Sequence, residues 1–286
     1  MTYEKTKAIL KDQGLAANKK LGQNFLVHRH TAERIVGLAG VADTDTIIEV
    51  GVGLGALTNP IAQRAKQVIG IEADSGIVKW HQEQQDLDDN VRLIHADILK
   101  TDLTKLAEES GGRLKILANL PYSISSPFLF RLIDNREIVE WAVVMLQKEV
   151  ALRLMADPGT KEYGVPSVLF ASCATIEPIM QVKPGEFHPR PKVDSMVIRI
   201  TFHPEPERLQ TVPEYDWPLL KKIVHACFGQ RRKTILNGLA SGGFAADKKK
   251  LAATIEDAGI SPTIRAERLS FEQFVTLTNS IRKGTL

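Results

Sequence analysis

The stretch Asn119-Leu120-Pro121-Tyr122 holds the residue types in this chain best suited to chemistry. It follows a short apolar run, Leu114 to Ala118, that predicts a buried strand, so the four residues leave the strand's carboxyl end. In an open α/β sheet, ligands bind at that end. Asn119 brings a side-chain carbonyl, and the peptide carbonyls of Leu120 and Pro121 add acceptors beside it. Pro121 fixes its own φ and keeps Leu120 extended, which steadies those carbonyls. Tyr122 adds a flat face. Acceptors for two N–H groups beside a stacking surface suit an exocyclic amine on a planar ring. Taken alone, the four residues are better explained as a strand-ending turn with a half-buried Tyr. The neighbouring strands change that balance.

Thr46 to Val50 predicts a strand that enters Gly51-Val52-Gly53-Leu54-Gly55, and Ala56 to Ala65 a helix that Pro60 starts late. Glycines let a ligand approach the backbone, and the helix N-terminus offers free N–H groups. A second strand, Gln67 to Ile71, ends in Glu72, about twenty residues after the first glycine, where a carboxylate can accept from both ribose hydroxyls. A third, Val91 to His95, delivers Asp97, which suits an adenine amine but serves equally well as an N-cap. The spacing is E-x-G-x-G-x-G rather than the G-x-G-x-x-G of dinucleotide binders, and no Lys-Ser/Thr pair is present to cradle phosphates. A ribonucleoside without a pyrophosphate fits, and S-adenosylmethionine is one; a Rossmann dehydrogenase is the competitor on this stretch. Consecutive strand ends thus carry Glu49 and Gly51, Glu72, Asp97 and Asn119. The expectation is that Glu72, Asp97 and Asn119 line a common hollow.

Other segments add candidates. Residues 2–17 predict a helix stopped near Gly14, and Lys19-Lys20-Leu21-Gly22-Gln23-Asn24-Phe25-Leu26 a loop able to bind a ligand. Thr31 is the expected N-cap of a helix through Ala39. Residues 139–146 predict a fifth buried strand, Val165 to Ala174 a helix, and Thr175 to Lys183 with Val193 to Phe202 a closing strand pair. Phe187-His188-Pro189-Arg190-Pro191-Lys192-Val193-Asp194-Ser195 is a Pro-stiffened basic loop that could set Phe187 against the open face of a base, with Arg190 and Lys192 near phosphate. A plain crossover loop is its alternative. Prolines from Pro204 onward mark a domain boundary, dividing residues 1–203 from residues 204–286. Beyond it Leu219 to Phe228, Arg232 to Leu239, Lys248 to Ala258 and Phe271 to Ile281 predict four short helices. Arg231-Arg232-Lys233 then falls at a helix start beside Phe228, against the macrodipole, which favours a binding role.

Composition excludes several classes. A net charge of +3 (37 basic, 34 acidic) does not by itself indicate nucleic acid, and the compact basic runs carry more weight. Cys173 and Cys227 stand far apart without metal-ligand spacing, and the seven histidines form no HExxH or Cys/His cluster, so no metal site is expected. No apolar run reaches membrane-spanning length and Met1 to Ala17 has no signal-peptide core, so a cytosolic protein is expected, with a monomer as the default.

The ordered set of motifs resembles the small-subunit ribosomal RNA adenine N6-dimethyltransferases, especially the bacterial member. It runs from Lys20-Leu21-Gly22-Gln23-Asn24-Phe25-Leu26 through Glu49 to Thr58, Asn119 to Tyr122, Phe187 to Ser195, Phe228 with Arg231-Arg232-Lys233-Thr234, and Arg265 to Ser270. Val52 departs from the pattern, where the family usually has proline. The resemblance implies a class I (Rossmann-like) α/β methyltransferase sheet with a smaller, all-helical C-terminal domain that binds RNA. It implies S-adenosylmethionine as methyl donor and N6 of two adjacent adenosines near the 3′ end of small-subunit (16S) rRNA as target, within an immature subunit. Asn24, Leu26, Gly51, Gly53, Gly55, Glu72, Asp97 and Asn119 would contact the cofactor. Asn119, Leu120, Pro121 and Tyr122 would handle the amine, and Tyr122 and Phe187 would sandwich the base. Lys19, Lys20, Arg190, Arg231, Arg232 and Lys233 would hold the RNA. The alternatives are a large-subunit rRNA methyltransferase of the macrolide-resistance type and a non-catalytic assembly factor that occupies immature subunits.

Overall fold

The computed structural model describes residues 6–8, 23–230, 232–244 and 247–284. Lys19, Lys20, Arg231 and, apart from the helical residues 6–8, the helix expected over 2–17 lie outside them. Two compact units form, one from residues 1–151 and 176–204, the other from residues 152–175 and 205–286.

The first unit is built on a sheet. Its strands are β2 (Thr46–Val50), β3 (Gln67–Glu72), β4 (Val91–His95), β5 (Leu114–Asn119), β6 (Val139–Gln147), β7 (Thr175–Val182) and β9 (Ser195–Thr201). They lie in the order β4-β3-β2-β5-β6-β9-β7. The first five are parallel and β9 runs antiparallel to β6. A separate short ribbon pairs β1 (Phe25–Leu26) with β8 (Phe187–His188), setting Leu26 opposite Phe187. Helices α1 (Arg29–Leu38), α2 (Thr58–Ala62), α3 (Ser75–Gln84), α4 (Leu103–Ser110) and α5 (Ser125–Asp134) connect the strands. Asp74 caps α3 by accepting from Gly76 N (2.9 Å) and Ile77 N (3.4 Å), and Asp102 caps α4 in the same way. Helix α1 begins after His28, two residues before the expected cap. Thr31 instead sends its hydroxyl to Glu186 (2.7 Å), a partner no local rule could supply.

β2 lies between β3 and β5, so the strand order reverses there and a crevice opens outside the strand ends. Register decides which residues meet in it. Val50 sits opposite both Ile71 and Ala118, so Gly51, Glu72 and Asn119 leave the sheet side by side. Both faces of the sheet are buried; on one, Ile47, Val68, Leu117, Val143, Met145 and Val197 cluster with Leu26, Ile35, Val36 and Phe187. Side chains alternate along a strand, so Glu49 points to the face of Ile47 and its carboxylate is drawn under the protein surface.

The second unit is helical: α7 (Val165–Ala171), α8 (Trp217–Phe228), α9 (Ile235–Ser241), α10 (Lys248–Asp257) and α11 (Phe271–Gly284), with α6 (Lys148–Leu154) spanning the unit boundary in sequence. Residues 152–175 belong here rather than to the N-terminal domain expected from sequence. Tyr163 donates to Leu269 O (2.8 Å), Arg208 to Ala171 O (2.7 Å) and Tyr215 to Ser172 O (3.2 Å), and these bonds tie the two segments together. The prolines at the expected boundary marked a change in the chain but not this return of an earlier segment. Helix α9 starts at Ile235, capped by Thr234, not at Arg232. Arg232 and Lys233 therefore precede the cap and are exposed. Phe228 packs on Tyr163 and Phe274 (ring centroids 6.0 Å in each case), which makes it a core aromatic of this unit.

Candidate active site

An open hollow lies at the exits of β2, β3 and β5. Its wall includes Asn24, Leu26, Glu49, Gly51, Gly53, Glu72, Asn119 and Pro121.

The glycine turn is shaped by its backbone and by close neighbours. Gly51, Gly53 and Gly55 have φ of +79°, +55° and +75°, a region side chains rarely enter. Gly51 N–H donates to Ile71 O (2.9 Å), and Gly55 N–H closes the turn on Val52 O (3.1 Å). A Cβ on Gly70 of β3 would fall 2.6 Å from Val52 Cγ2, so a bare backbone in the next strand lets the turn settle on the sheet. Val52 is buried there, a packing role that answers its departure from the family pattern. The buried His81 ring joins Nε2 to Gly53 O (2.8 Å) and Nδ1 to Asp86 (2.7 Å), fixing the turn from the side of α3. Sequence reasoning missed His81, because its partners are a carbonyl 28 residues away and a loop acid.

Glu72 accepts from Gly53 N–H and from Asp74 N–H, both at 2.9 Å. Burial raises its carboxyl above the usual range, tempered first by those amides. Glu49 is fully buried, and neither carboxylate oxygen has a hydrogen-bond partner among the described residues. Desolvation pushes its pKa up to about 8, with repulsion from Glu72 adding to the rise. The Thr58 hydroxyl lies close enough to temper this but makes no hydrogen bond of ordinary geometry with it. Near neutral pH Glu49 therefore keeps its proton, and a ligand bearing positive charge would favour its ionised form.

Asn119 is half-buried, and its Nδ2 donates to Asn24 O (3.2 Å), which leaves Oδ1 as its acceptor. The N-terminal loop is thereby tied to the exit of β5. Gln23 adds a bond to Asp74 (3.3 Å). Pro121 O is engaged by Ile124 N–H (3.0 Å) inside the following turn, so of the two expected carbonyls Leu120 is the better candidate acceptor. Tyr122 is half-buried, and its hydroxyl meets Ser195 Oγ at 2.7 Å.

Two expectations fail. Asp97 does not line the hollow with Glu72 and Asn119. Glu72 sits opposite His95, the last residue of β4, so Asp97 lies two residues beyond that strand, with β3 between β4 and β2. Its carboxylate accepts from Leu99 N–H (2.9 Å) within a turn; no helix starts there, so it is not the N-cap weighed as its alternative either. Phe187 offers no open face. It is 1% exposed, packed in the sheet's core cluster and held in register with Leu26. Arg190 and Lys192 are exposed as expected. Among the described residues no group of His, Cys, Asp and Glu could hold a metal ion, and no helix is long and apolar enough to cross a membrane.

The family model for ribosomal RNA adenine dimethylases matches residues 14–283. The chain belongs to this family. Among its relatives, the ribosomal RNA small subunit methyltransferase A of Desulfotalea psychrophila is 53% identical, covering 97% of this chain and 95% of that protein. The protein of the same name from Bacillus mycoides is 39% identical, covering 98% and 96%. A solved dimethyladenosine transferase from Plasmodium falciparum aligns with a TM-score of 0.72 at 25% identity over 92% of this chain and 98% of that one. The 23S rRNA methyltransferase ErmE aligns with a TM-score of 0.64 at 24% identity over 91% and 100%, a likeness of fold. The sheet is that of a class I methyltransferase, and the protein is an rRNA adenine dimethyltransferase.

Proposed function

We propose that the protein dimethylates N6 of two adjacent adenosines near the 3′ end of small-subunit rRNA, working as a cytoplasmic monomer on an immature subunit with S-adenosylmethionine as donor. One observation carries the reading. Asn119, its Nδ2 committed to Asn24 O, stands beside Gly51 and Glu72 at the rim of a hollow walled by the unpartnered Glu49. The residues suit the cofactor: the glycine turn admits a nucleoside, Glu72 can accept from ribose hydroxyls, and a positively charged ligand would favour the ionised form of Glu49. S-adenosylmethionine, when bound, supplies a methyl group on an electrophilic sulfonium.

The protein's own task is to prepare the amine. An adenine N6 is a poor nucleophile because its lone pair is delocalised into the ring. Asn119 Oδ1 and the Leu120 carbonyl accept from the two N–H groups and favour a pyramidal nitrogen with its lone pair free. That is orientation with electrostatic help, and no base is needed before attack. The methylated nitrogen is cationic and gives up its proton to water. To expose N6 the nucleotide must leave its stack, and Tyr122 offers the face that receives it. Arg190, Lys192, Arg232 and Lys233, with Lys19, Lys20 and Arg231, hold the RNA backbone.

Labelled S-adenosylmethionine and unmethylated small subunits test the reading. Label in two neighbouring adenosines of small-subunit rRNA is expected. Label confined to large-subunit rRNA would transfer the assignment to the macrolide-resistance type, and tight binding without transfer to an assembly factor.

A further inference from the structure

We propose that Ser195 is a positioning residue for Tyr122, holding the long axis of the tyrosine ring where the target base is received. This rests on the function proposed above. Tyr122 is anchored at its backbone by the rigid Pro121 and the turn that Pro121 O closes on Ile124 N–H. A tyrosine fixed only there can exchange among staggered χ1 wells. The second anchor is at the far end of the ring, where the hydroxyl meets Ser195 Oγ at 2.7 Å.

Ser195 is built to be an immobile partner. It is 0% exposed and opens β9 directly opposite Gln147 at the end of β6. The residue before it is fixed twice: Asp194 O accepts from Lys148 N–H (2.9 Å), and its carboxylate takes Lys183 Nζ (2.8 Å) and the Gln181 amide. The exposed loop of Arg190 and Lys192 therefore ends on a rigid point at the start of β9, a strand flanked by β6 and β7. Burial also raises the Tyr122 hydroxyl above its ordinary value, so it stays neutral and able to bond to Ser195. Two fixed ends hold χ1 and the ring's long axis and leave only rotation about that axis, so a ring already in place spares the flipped base part of the ordering cost at the moment of reaction. The same motif places Phe187 in the core, so its serine, rather than its aromatic, serves the base.

The test compares Ser195→Ala, Ser195→Thr and Tyr122→Phe in the full chain. Ser195→Ala should lower kcat about tenfold, with cofactor affinity and the KM for RNA within about twofold of wild type. Ser195→Thr, which keeps the hydroxyl, should recover most of the loss. On a Tyr122→Phe background Ser195→Ala should add almost nothing, because the bond is already gone. RNA carrying 2-aminopurine at the target position should be quenched on binding wild type and brighter when bound to Ser195→Ala. A wild-type kcat in Ser195→Ala, effects that multiply in the double variant, or cofactor affinity falling in step with kcat would each overturn the proposal. Absence of transfer by the wild-type protein overturns the functional reading and this proposal with it; wild-type transfer matched by Ser195→Ala overturns this proposal alone.

Discussion

The hollow at the exits of β2, β3 and β5 and the basic stretch after α8 treat charge in opposite ways. In the hollow the titratable groups are acids, withdrawn from water and either bonded to backbone amides, as Glu72 is, or left without a partner among the described residues, as Glu49 is. Arg232 and Lys233 instead stand exposed ahead of the Thr234 cap. Buried polar groups are worth much and tolerate little displacement, whereas solvated cations attract a polyanion from any direction and are screened by salt. Chemistry that must aim a methyl group at one nitrogen belongs to the first kind of site. Holding a long RNA belongs to the second. Substitutions should therefore act through position in the hollow and through ionic strength in the basic stretch.

The largest effect is expected outside both, at the aromatic that sequence had assigned to the base. Phe187→Ala removes a fully buried ring from the core and should cost about 3–5 kcal/mol of stability in urea unfolding. The molecules that remain folded should turn over near the wild-type rate. If turnover per folded molecule collapses with stability unchanged, Phe187 touches the base after all.

Asn119→Ala comes next. It removes the acceptor proposed for N6 and the bond to Asn24 O, so turnover should fall about 10²–10³-fold, the scale of a deleted oxyanion-type partner. Cofactor affinity should fall only moderately, because the residue forms one part of the hollow's wall. Near-normal label transfer would remove Asn119 from the chemistry and erase the positional half of the contrast.

What sequence disclosed and what it hid follow one physical division. Strand runs, the glycine turn and the acid ending β3 are encoded within a few residues of one another, and parallel register then placed Gly51, Glu72 and Asn119 together. Asp97 had two roles that no local pattern could separate. The register of β4 sets it apart from the hollow, and its bond to the Leu99 amide closes a turn rather than capping a helix. Phe187 heads a basic, proline-rich loop, which looks solvent-facing in sequence. Its pairing with Leu26, far away in the chain, buries it. The Tyr122–Ser195 and His81–Gly53 bonds are likewise long-range and leave no spacing signature.

A smaller effect should appear in the pH dependence of stability. In the native state Glu49 keeps its proton up to a pKa of about 8, while the unfolded chain releases it near the ordinary value of 4.5. The native state thus binds more protons across that window. Its stabilising contribution is complete below the lower value and is lost as pH rises through the upper one. The slope from this group is at most about 1.4 kcal/mol per pH unit. Glu49→Gln should make the decline between pH 5 and 8 shallower in cofactor-free protein, with Glu72, raised in the same direction, keeping part of it. Identical slopes in thermal unfolding would show that the Glu49 proton is not held.

The smallest effect belongs to the basic stretch. Replacing Arg231 and Arg232 together with Ala should leave stability and cofactor affinity unchanged and raise the KM for RNA a few-fold at moderate salt. The more telling measurement is the dependence of RNA binding on salt. Every phosphate that the variant no longer neutralises should flatten the log–log slope by about 0.7–0.9. If affinity falls while the slope stays that of wild type, the two arginines act by shaping the approach to α9 rather than by meeting phosphate, and the basic stretch would have to be understood, like the hollow, through position.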